Sequence, residues 1–367
     1  MIKQEIEILT SKLISFKTYN QENVNQCMDF IFDWLQAHDL QPEILINSQY
    51  QMVVLTIGEG NKTLVLNGHV DVVQGHPPQF APFVEGDRLY GRGALDMLGS
   101  VAIMMILAKE LKNKNLGIKV MFQFCPDEET GGHYGTSYFA EQGYTGDFVI
   151  CLEPTDLNIG IECKGVIQLE IEVLGKAAHG SRPWLGENAI INAVNLYEKI
   201  KNAHFTKSRS EFFPNYSVNL ARIRGGHVIN SVPDRCTITV EIRFLPEQDP
   251  EDVLKEVEQI VGPGRYKILN IYPPVKVLKD NDYVQQLSRL MGLSYGKTPK
   301  LFGQDGTADS RFFAKQGIPA VEFGPSGEGQ HGDNEYVSLD SLVLLIDILQ
   351  NFITNISSCE LTESEVY

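Results

Sequence analysis

Val166-Ile167-Gln168-Leu169-Glu170-Ile171-Glu172-Val173-Leu174 is where the chain changes its pattern. Ile167, Leu169, Ile171 and Val173 alternate with more polar neighbours, so one face is buried and the other wet. That is the mark of a half-exposed antiparallel strand. Downstream, the spacing predicts a helix over Asn188 to Lys201 and strands over Ser217 to Ile223 and Cys236 to Phe244. A helix over Pro250 to Ile260 and a strand near Tyr266 to Ile271 follow. The order β-α-β-β-α-β is the ferredoxin-like split unit, and Pro273-Pro274 marks its exit.

On either side of this stretch the periodicity is different. Ile6, Leu9, Leu13 and Ile14, then Phe30, Ile31, Trp34 and Leu35, follow the three-to-four spacing of buried helix faces. Strands are expected over Met52 to Ile57, Thr63 to Asn67, Lys119 to Cys125 and Phe148 to Leu152. Helices are expected from Asp96 to Leu111 and over Tyr134 to Gln142. The alternation resumes from Asp282: helix to Leu290, strand to Phe302, helix Asp309 to Lys315, strand Pro319 to Phe323 and helix Leu339 to Ile353. Strand–helix alternation is the signature of a wound α/β sheet. The expected fold is α/β: a discontinuous domain with a central wound sheet flanked by helices (1–165 and 275–367), interrupted by an inserted ferredoxin-like α+β domain (166–274).

A chain of 367 residues is long enough for two domains with large cores. The formal net charge of -16 argues against nucleic acid as a partner, which needs a concentrated positive surface. Met1 to Glu7 carries no apolar core of a secretory signal. The longest apolar run, Val101 to Ala108, falls short of the ~20 residues that cross a bilayer. Cys27, Cys125, Cys151, Cys163, Cys236 and Cys359 have no paired spacing and read as reduced thiols. No membrane contact is expected, and the location expected is the cytoplasm.

The chemistry concentrates at the ends of the expected strands. His69-Val70-Asp71 follows Leu64-Val65-Leu66; a neutral imidazole is a good zinc ligand, and Asp71 could hold its second nitrogen. Asp96 comes after two glycines and by itself could be a helix cap. Glu128 and Glu129 are adjacent carboxylates that repel each other unless a cation or a proton intervenes. Glu153 follows Val149-Ile150-Cys151-Leu152, and His331 lies in a Gly-rich loop after Ala320 to Phe323. Each alone is weak evidence, but jointly they are the makings of a two-metal hydrolytic centre. Gly91-Arg92-Gly93 lacks the third glycine of a dinucleotide loop, and Asp96 would repel pyrophosphate.

With these residues the chain resembles the co-catalytic zinc amidohydrolases, a family that includes acetylornithine deacetylase, succinyl-diaminopimelate desuccinylase, aminoacylase 1 and glutamate carboxypeptidase. The resemblance runs the whole length through Gly68-His69-Val70-Asp71, Gly91 to Met97, Glu128 to Gly132, Glu153-Pro154-Thr155, Ala178-His179-Gly180-Ser181, Gly306 to Phe312 and His331. It implies that His69, Asp96 and Glu153 hold one metal ion and that Asp96, Glu129 and His331 hold the other. Zinc is expected, with cobalt and manganese also suited to such donors. It further implies Glu128 as general base, Asp71 as the partner of His69, a cis peptide after Asp96, and a lid through which the chain dimerises.

The reaction expected is hydrolysis of the amide of an N-acyl amino acid. A carboxypeptidase or dipeptidase acting on short peptides is the alternative in the same family, and a non-catalytic binding protein an alternative outside it. Glu153, where aminopeptidase branches usually carry Asp, points to the deacylase and carboxypeptidase side. His179 is the expected oxyanion donor, although a lone His there also reads as an exposed loop residue. Arg243 could clamp a substrate carboxylate or form a surface ion pair. Asn230 could reach substrate or cap a turn. Gly306 and Thr307 could donate to substrate, or Thr307 could cap the helix that follows. Ala308 stands where the family commonly has serine.

Overall fold

A computed structural model describes residues 2–356. The central feature of the first unit is a mixed sheet. Its strand order runs Glu43–Asn47, Tyr50–Ile57, Lys119–Cys125, Thr63–His69, Phe148–Cys151, Ala320–Glu322, Ile159–Cys163. Lys119–Cys125, Thr63–His69, Phe148–Cys151 and Ala320–Glu322 are mutually parallel. Thr63–His69 therefore has a parallel partner on both sides and is buried from Leu64 onward. That is why its middle, Leu64-Val65-Leu66, is continuously apolar rather than alternating. The next strand of this sheet along the chain, Lys119–Cys125, lies on one side of Thr63–His69 and the one after it, Phe148–Cys151, on the other. Such a reversal opens a crevice at the carboxyl ends of the strands.

Helix Gly99–Leu111 is buried on almost every face, packed against helices Ile2–Ser15 and Leu339–Ile356. It starts later than expected. Ala94–Leu98 forms a separate wide turn in which Asp96 (φ -117°, ψ 93°) and Met97 are non-helical, so Asp96 does not cap the helix. The Asp96–Met97 peptide is cis, as the family resemblance implies. Helix Leu339–Ile356 is long and apolar enough in composition to cross a bilayer. Its Leu342, Leu345, Leu349 and Phe352 are instead buried in this unit's core. Strands Glu43–Asn47, Ile159–Cys163 and Val275–Lys276, and a small sheet of Phe83–Glu85, Arg88–Tyr90, Tyr336–Ser338 and Gly327–Glu328, have no counterpart in the sequence expectation. Cys27, Cys125, Cys151, Cys163 and Cys236 are buried; Cys359 lies outside the described residues.

The described residues divide into two compact units, 2–161 with 277–302 and 308–356, and 162–276 with 303–307. The second unit is a four-stranded antiparallel sheet in the order Ser217–Gly225, Arg235–Phe244, Gly165–Leu174, Tyr266–Tyr272. Helices Ala189–Lys201 and Pro250–Val261 cover one face, burying Ile167, Leu169, Ile171, Ile238 and Val240. Both helices begin on side-chain caps, Asn188 accepting from Ile190 N–H and Asp249 from Glu251 N–H. The segment 303–307 joins this unit although its neighbours in sequence do not. Lys164, buried, donates to Asp305 Oδ1 at 2.7 Å and to the Asn215 carbonyl at 3.0 Å.

Candidate metal centre

The carboxyl ends of the parallel strands and one kinked turn bring five side chains to one place. His69 ends its strand, Glu129 follows Lys119–Cys125, Glu153 follows Phe148–Cys151, Asp96 comes from the kinked turn, and His331 from a loop after Ala320–Glu322. They fall into two groups, His69 with Asp96 and Glu153, and Asp96 with Glu129 and His331. The potential ligand atoms within each group lie within 4.8 Å of one another. Asp96 belongs to both: its Oδ1 is 3.0 Å from His69 Nε2 and its Oδ2 is 3.2 Å from His331 Nε2. His331 Nε2 is also 3.0 Å from Glu129 Oε1. Two imidazoles and three carboxylates suit zinc, cobalt or manganese, and one shared carboxylate suits a pair of ions.

Asp71 differs from the expectation. His69 Nδ1 meets the Asp71 main-chain carbonyl at 2.9 Å, while the Asp71 carboxylate is 3.4 Å away. That carboxylate accepts instead from the backbone N–H groups of Glu128 (3.0 Å) and Glu129 (2.9 Å). It thus positions the loop that carries the expected base and one expected ligand. Glu128 belongs to neither metal group; its Oε1 lies 3.7 Å from Arg311 Nη1. Arg311 in turn donates to the Gly131 carbonyl at 2.8 Å. Gly131 (φ 116°) and Gly132 (φ 67°) turn the chain sharply away from Glu129.

Sequence reasoning missed Arg92, Glu335, Asp309 and Arg311. Glu335, 2 % exposed, accepts from the backbone N–H groups of Gly93, Leu95 and Asp96 and from Arg92 Nη1 at 2.8 Å. Arg92 Nη2 donates to the His331 carbonyl at 3.2 Å. His331 has a left-handed φ of 59°, a region that is sparsely populated outside glycine and costs of order 1–3 kcal/mol. Asp309 is buried beneath the site and accepts from the Thr136 hydroxyl. A signal for Arg92 and Glu335 was available only as charge inside otherwise glycine-rich, loop-like sequence.

The electrostatics are those of an acidic crevice in which protons stand where cations would. Burial, then the charge of Asp309, pushes Glu128 up to about 8. Burial, then Asp96, holds Glu153 well above the usual carboxylate range. Burial opposes the charge on Asp96, but the hydrogen bonds from His331 and His69 outweigh it and hold its carboxyl below the usual range. The ion pairs to Asp96 and Glu129 raise His331 to about 10. Burial lowers His69, but hydrogen bonds to Asp71 and Asp96 outweigh this and leave it well above its ordinary value.

The remaining expected residues lie in the second unit. His179 is exposed and bridges Ser231, and Gly180 N–H donates to the Asn230 carbonyl at 2.7 Å, so the two loops meet. Ser181 N–H donates to His179 Nδ1 at 3.1 Å, which places the proton of a neutral ring on Nε2. Arg243 Nε donates to Glu241 at 2.9 Å, while its buried Nη1 has no acceptor among the described residues. Gly306 and Thr307 lie in the loop before helix Ser310–Ala314. The residue at that helix's cap is Asp309, with no side-chain cap bond, so Thr307 does not cap it.

A wound sheet whose strand ends gather these two groups has the donor set of a two-metal hydrolytic centre. The family model described as peptidase family M20/M25/M40 matches residues 65–355, and the chain belongs to that family. It is 27 % identical over 370 residues to a succinyl-diaminopimelate desuccinylase of Rickettsia bellii (strain RML369-C), covering 93 % of this chain and 94 % of the relative. It is also 27 % identical over 395 residues to a probable succinyl-diaminopimelate desuccinylase of Staphylococcus aureus (strain N315), covering 95 % and 96 %. The fold is shared with the aminopeptidase PepT of Bacillus cereus (TM-score 0.77, 19 % identity, 97 % and 99 % covered). It is shared too with a dinuclear metal-binding peptidase of family M20 from Bacillus subtilis (TM-score 0.66, 19 % identity, 96 % and 99 % covered).

Proposed function

We propose that the chain hydrolyses the amide bond of N-acylated amino acids, in the manner of the desuccinylases and deacetylases of its family. The observation that carries this reading is the shared carboxylate of Asp96 between two ligand groups, with Glu128, the sequence neighbour of Glu129, a member of neither. His69, Asp96 and Glu153 would hold one divalent ion and Asp96, Glu129 and His331 a second, zinc by preference. Ions bound there supply acidification of water and polarisation of the amide carbonyl.

Glu128 takes a proton from the attacking water and returns it to the leaving amine nitrogen. Asp71 keeps Glu128 and Glu129 in register through their backbone N–H groups. His179 Nε2–H is the donor for the developing oxyanion, and Arg243 Nη1 for the substrate carboxylate. Asn230, Gly306 and Thr307 complete substrate binding.

The desuccinylase relatives and Glu153 favour a deacylase over a peptidase. In the inserted unit, strand Ser217–Gly225 is a sheet edge, and Ile191 and Val194 are exposed on helix Ala189–Lys201. These would serve a homodimer formed through a lid. The location that fits is the cytoplasm.

A panel of N-succinyl, N-acetyl and dipeptide substrates tests the reading. Faster release from the N-acyl amino acids supports it; cleavage confined to dipeptides replaces it with the peptidase. Glu128→Gln is expected to abolish turnover while metal content, measured by elemental analysis, is unchanged. Retained turnover would remove Glu128 as the base.

A further inference from the structure

We propose that Arg92 and Glu335 are positioning residues that assemble the second metal group, Asp96, Glu129 and His331, by clamping together the two backbone segments that carry its ligands. The proposal rests on the reading of this crevice as a metal centre. It concerns residues that touch no expected ligand side chain.

The two metal groups are built differently. His69 closes a strand paired on both sides, and Glu153 follows directly from another strand; both side chains are buried. His331 is half exposed, in a loop, with left-handed backbone. Asp96 lies in a turn whose backbone is non-helical. Neither of these two segments has a ladder of sheet hydrogen bonds to fix it. The fixing is done by one buried ion pair. Glu335 gathers three N–H groups of the Asp96 turn, at 3.0, 3.1 and 3.1 Å, and one nitrogen of Arg92.

The other terminal nitrogen of Arg92 holds the carbonyl of His331 itself. The flat guanidinium, with donors in a rigid fork, spans both acceptors at once. Two further contacts act in the same direction: Gln79 Nε2 donates to the Gly332 carbonyl at 3.0 Å, and Gln330 Nε2 to Asp96 Oδ2 at 2.6 Å. Groups that orient metal ligands from behind commonly govern metal affinity by about 10–100-fold.

Arg92→Lys tests this directly. Lysine keeps the charge opposite Glu335 but, as a point donor on a flexible stem, cannot hold both acceptors in the same geometry. Full-length protein, stripped of metal, is titrated with zinc against a competing chelator, and its thermal unfolding is followed in parallel. The expected result is two equivalents bound by the native chain and by the variant, with the weaker equivalent in Arg92→Lys loosened about tenfold or more. The tighter one, which shares Asp96 but also has His69 and Glu153 held at strand ends, should loosen clearly less. Glu335→Gln, whose amide nitrogen would face a backbone donor, should show the same pattern more strongly if it folds.

Native affinity for both equivalents in Arg92→Lys would overturn the proposal. So would an equal loss at both, or a variant that does not fold, because either would make the pair a general stabiliser. A native chain that binds no zinc would instead overturn the reading of the crevice as a metal centre.

Discussion

Asp71 carries two separate demands with one side chain and its own carbonyl. The carboxylate accepts from two successive N–H groups, so replacing it with asparagine leaves one acceptor oxygen where two are used. An unpaired N–H in such a setting costs about 1–3 kcal/mol. Asp71→Asn is therefore expected to lower both turnover and zinc affinity, which steady-state kinetics and a chelator competition would measure. Loss of turnover with native affinity would confine Asp71 to Glu128 alone.

The histidines add a pH dependence. Imidazole must be neutral to bind metal, yet His69 is raised well above its ordinary value and His331 to about 10 by their carboxylate partners. In the metal-free protein these carboxylates favour the charged imidazolium at both residues. Metal uptake should then release protons, and apparent affinity should rise with pH. Calorimetric titration in buffers of different ionisation enthalpy would measure the number released; a value of zero contradicts the assigned charge states.

The turn Ala94–Leu98 shows what an element can hide. Gly93 precedes it with φ 78°, and a Cβ there would lie 2.5 Å from Val72 Cγ1. Gly93→Ala should therefore destabilise the protein by about 1 kcal/mol or more, read as a lower unfolding midpoint, and weaken metal binding by displacing Asp96. Central strands such as Lys119–Cys125 were legible in the sequence because burial writes itself into apolar runs. The inserted unit was legible because Ile167, Leu169 and Ile171 alternate with wetter neighbours.

The Asp96 turn was not legible in the same way. Its apolar neighbours Leu95, Met97 and Leu98 suit a helix, and only tertiary hydrogen bonds to Glu335 make the backbone do otherwise. The strand Ile159–Cys163 escaped for a related reason. Every residue in it is buried, including Glu162, so it shows no period. Glu335 itself looks like a surface carboxylate until the turn it serves is in place.

At the scale of the whole molecule, the centre gathers carboxylates whose charge, without metal, is offset by protons on the groups around them. Ligands that bind only the native state stabilise it by about 2.7 kcal/mol when present at a hundred times their dissociation constant. Stripping metal with a chelator should lower the unfolding midpoint, and restoring zinc should recover it; calorimetry with and without chelator measures both. An unchanged midpoint would mean that the crevice is not a binding site in the native state.

His331 and Glu335 come late in the chain, beyond the whole inserted unit, whereas His69, Asp96, Glu129 and Glu153 come before it. A polypeptide emerging from the ribosome thus displays most of its acidic crevice long before the last imidazole and its brace are synthesised. Until then Asp96 has only one histidine partner and the Gly93–Asp96 amides have no carboxylate to receive them. Hydrolytic competence would then arrive in a single late event, after both units have been made.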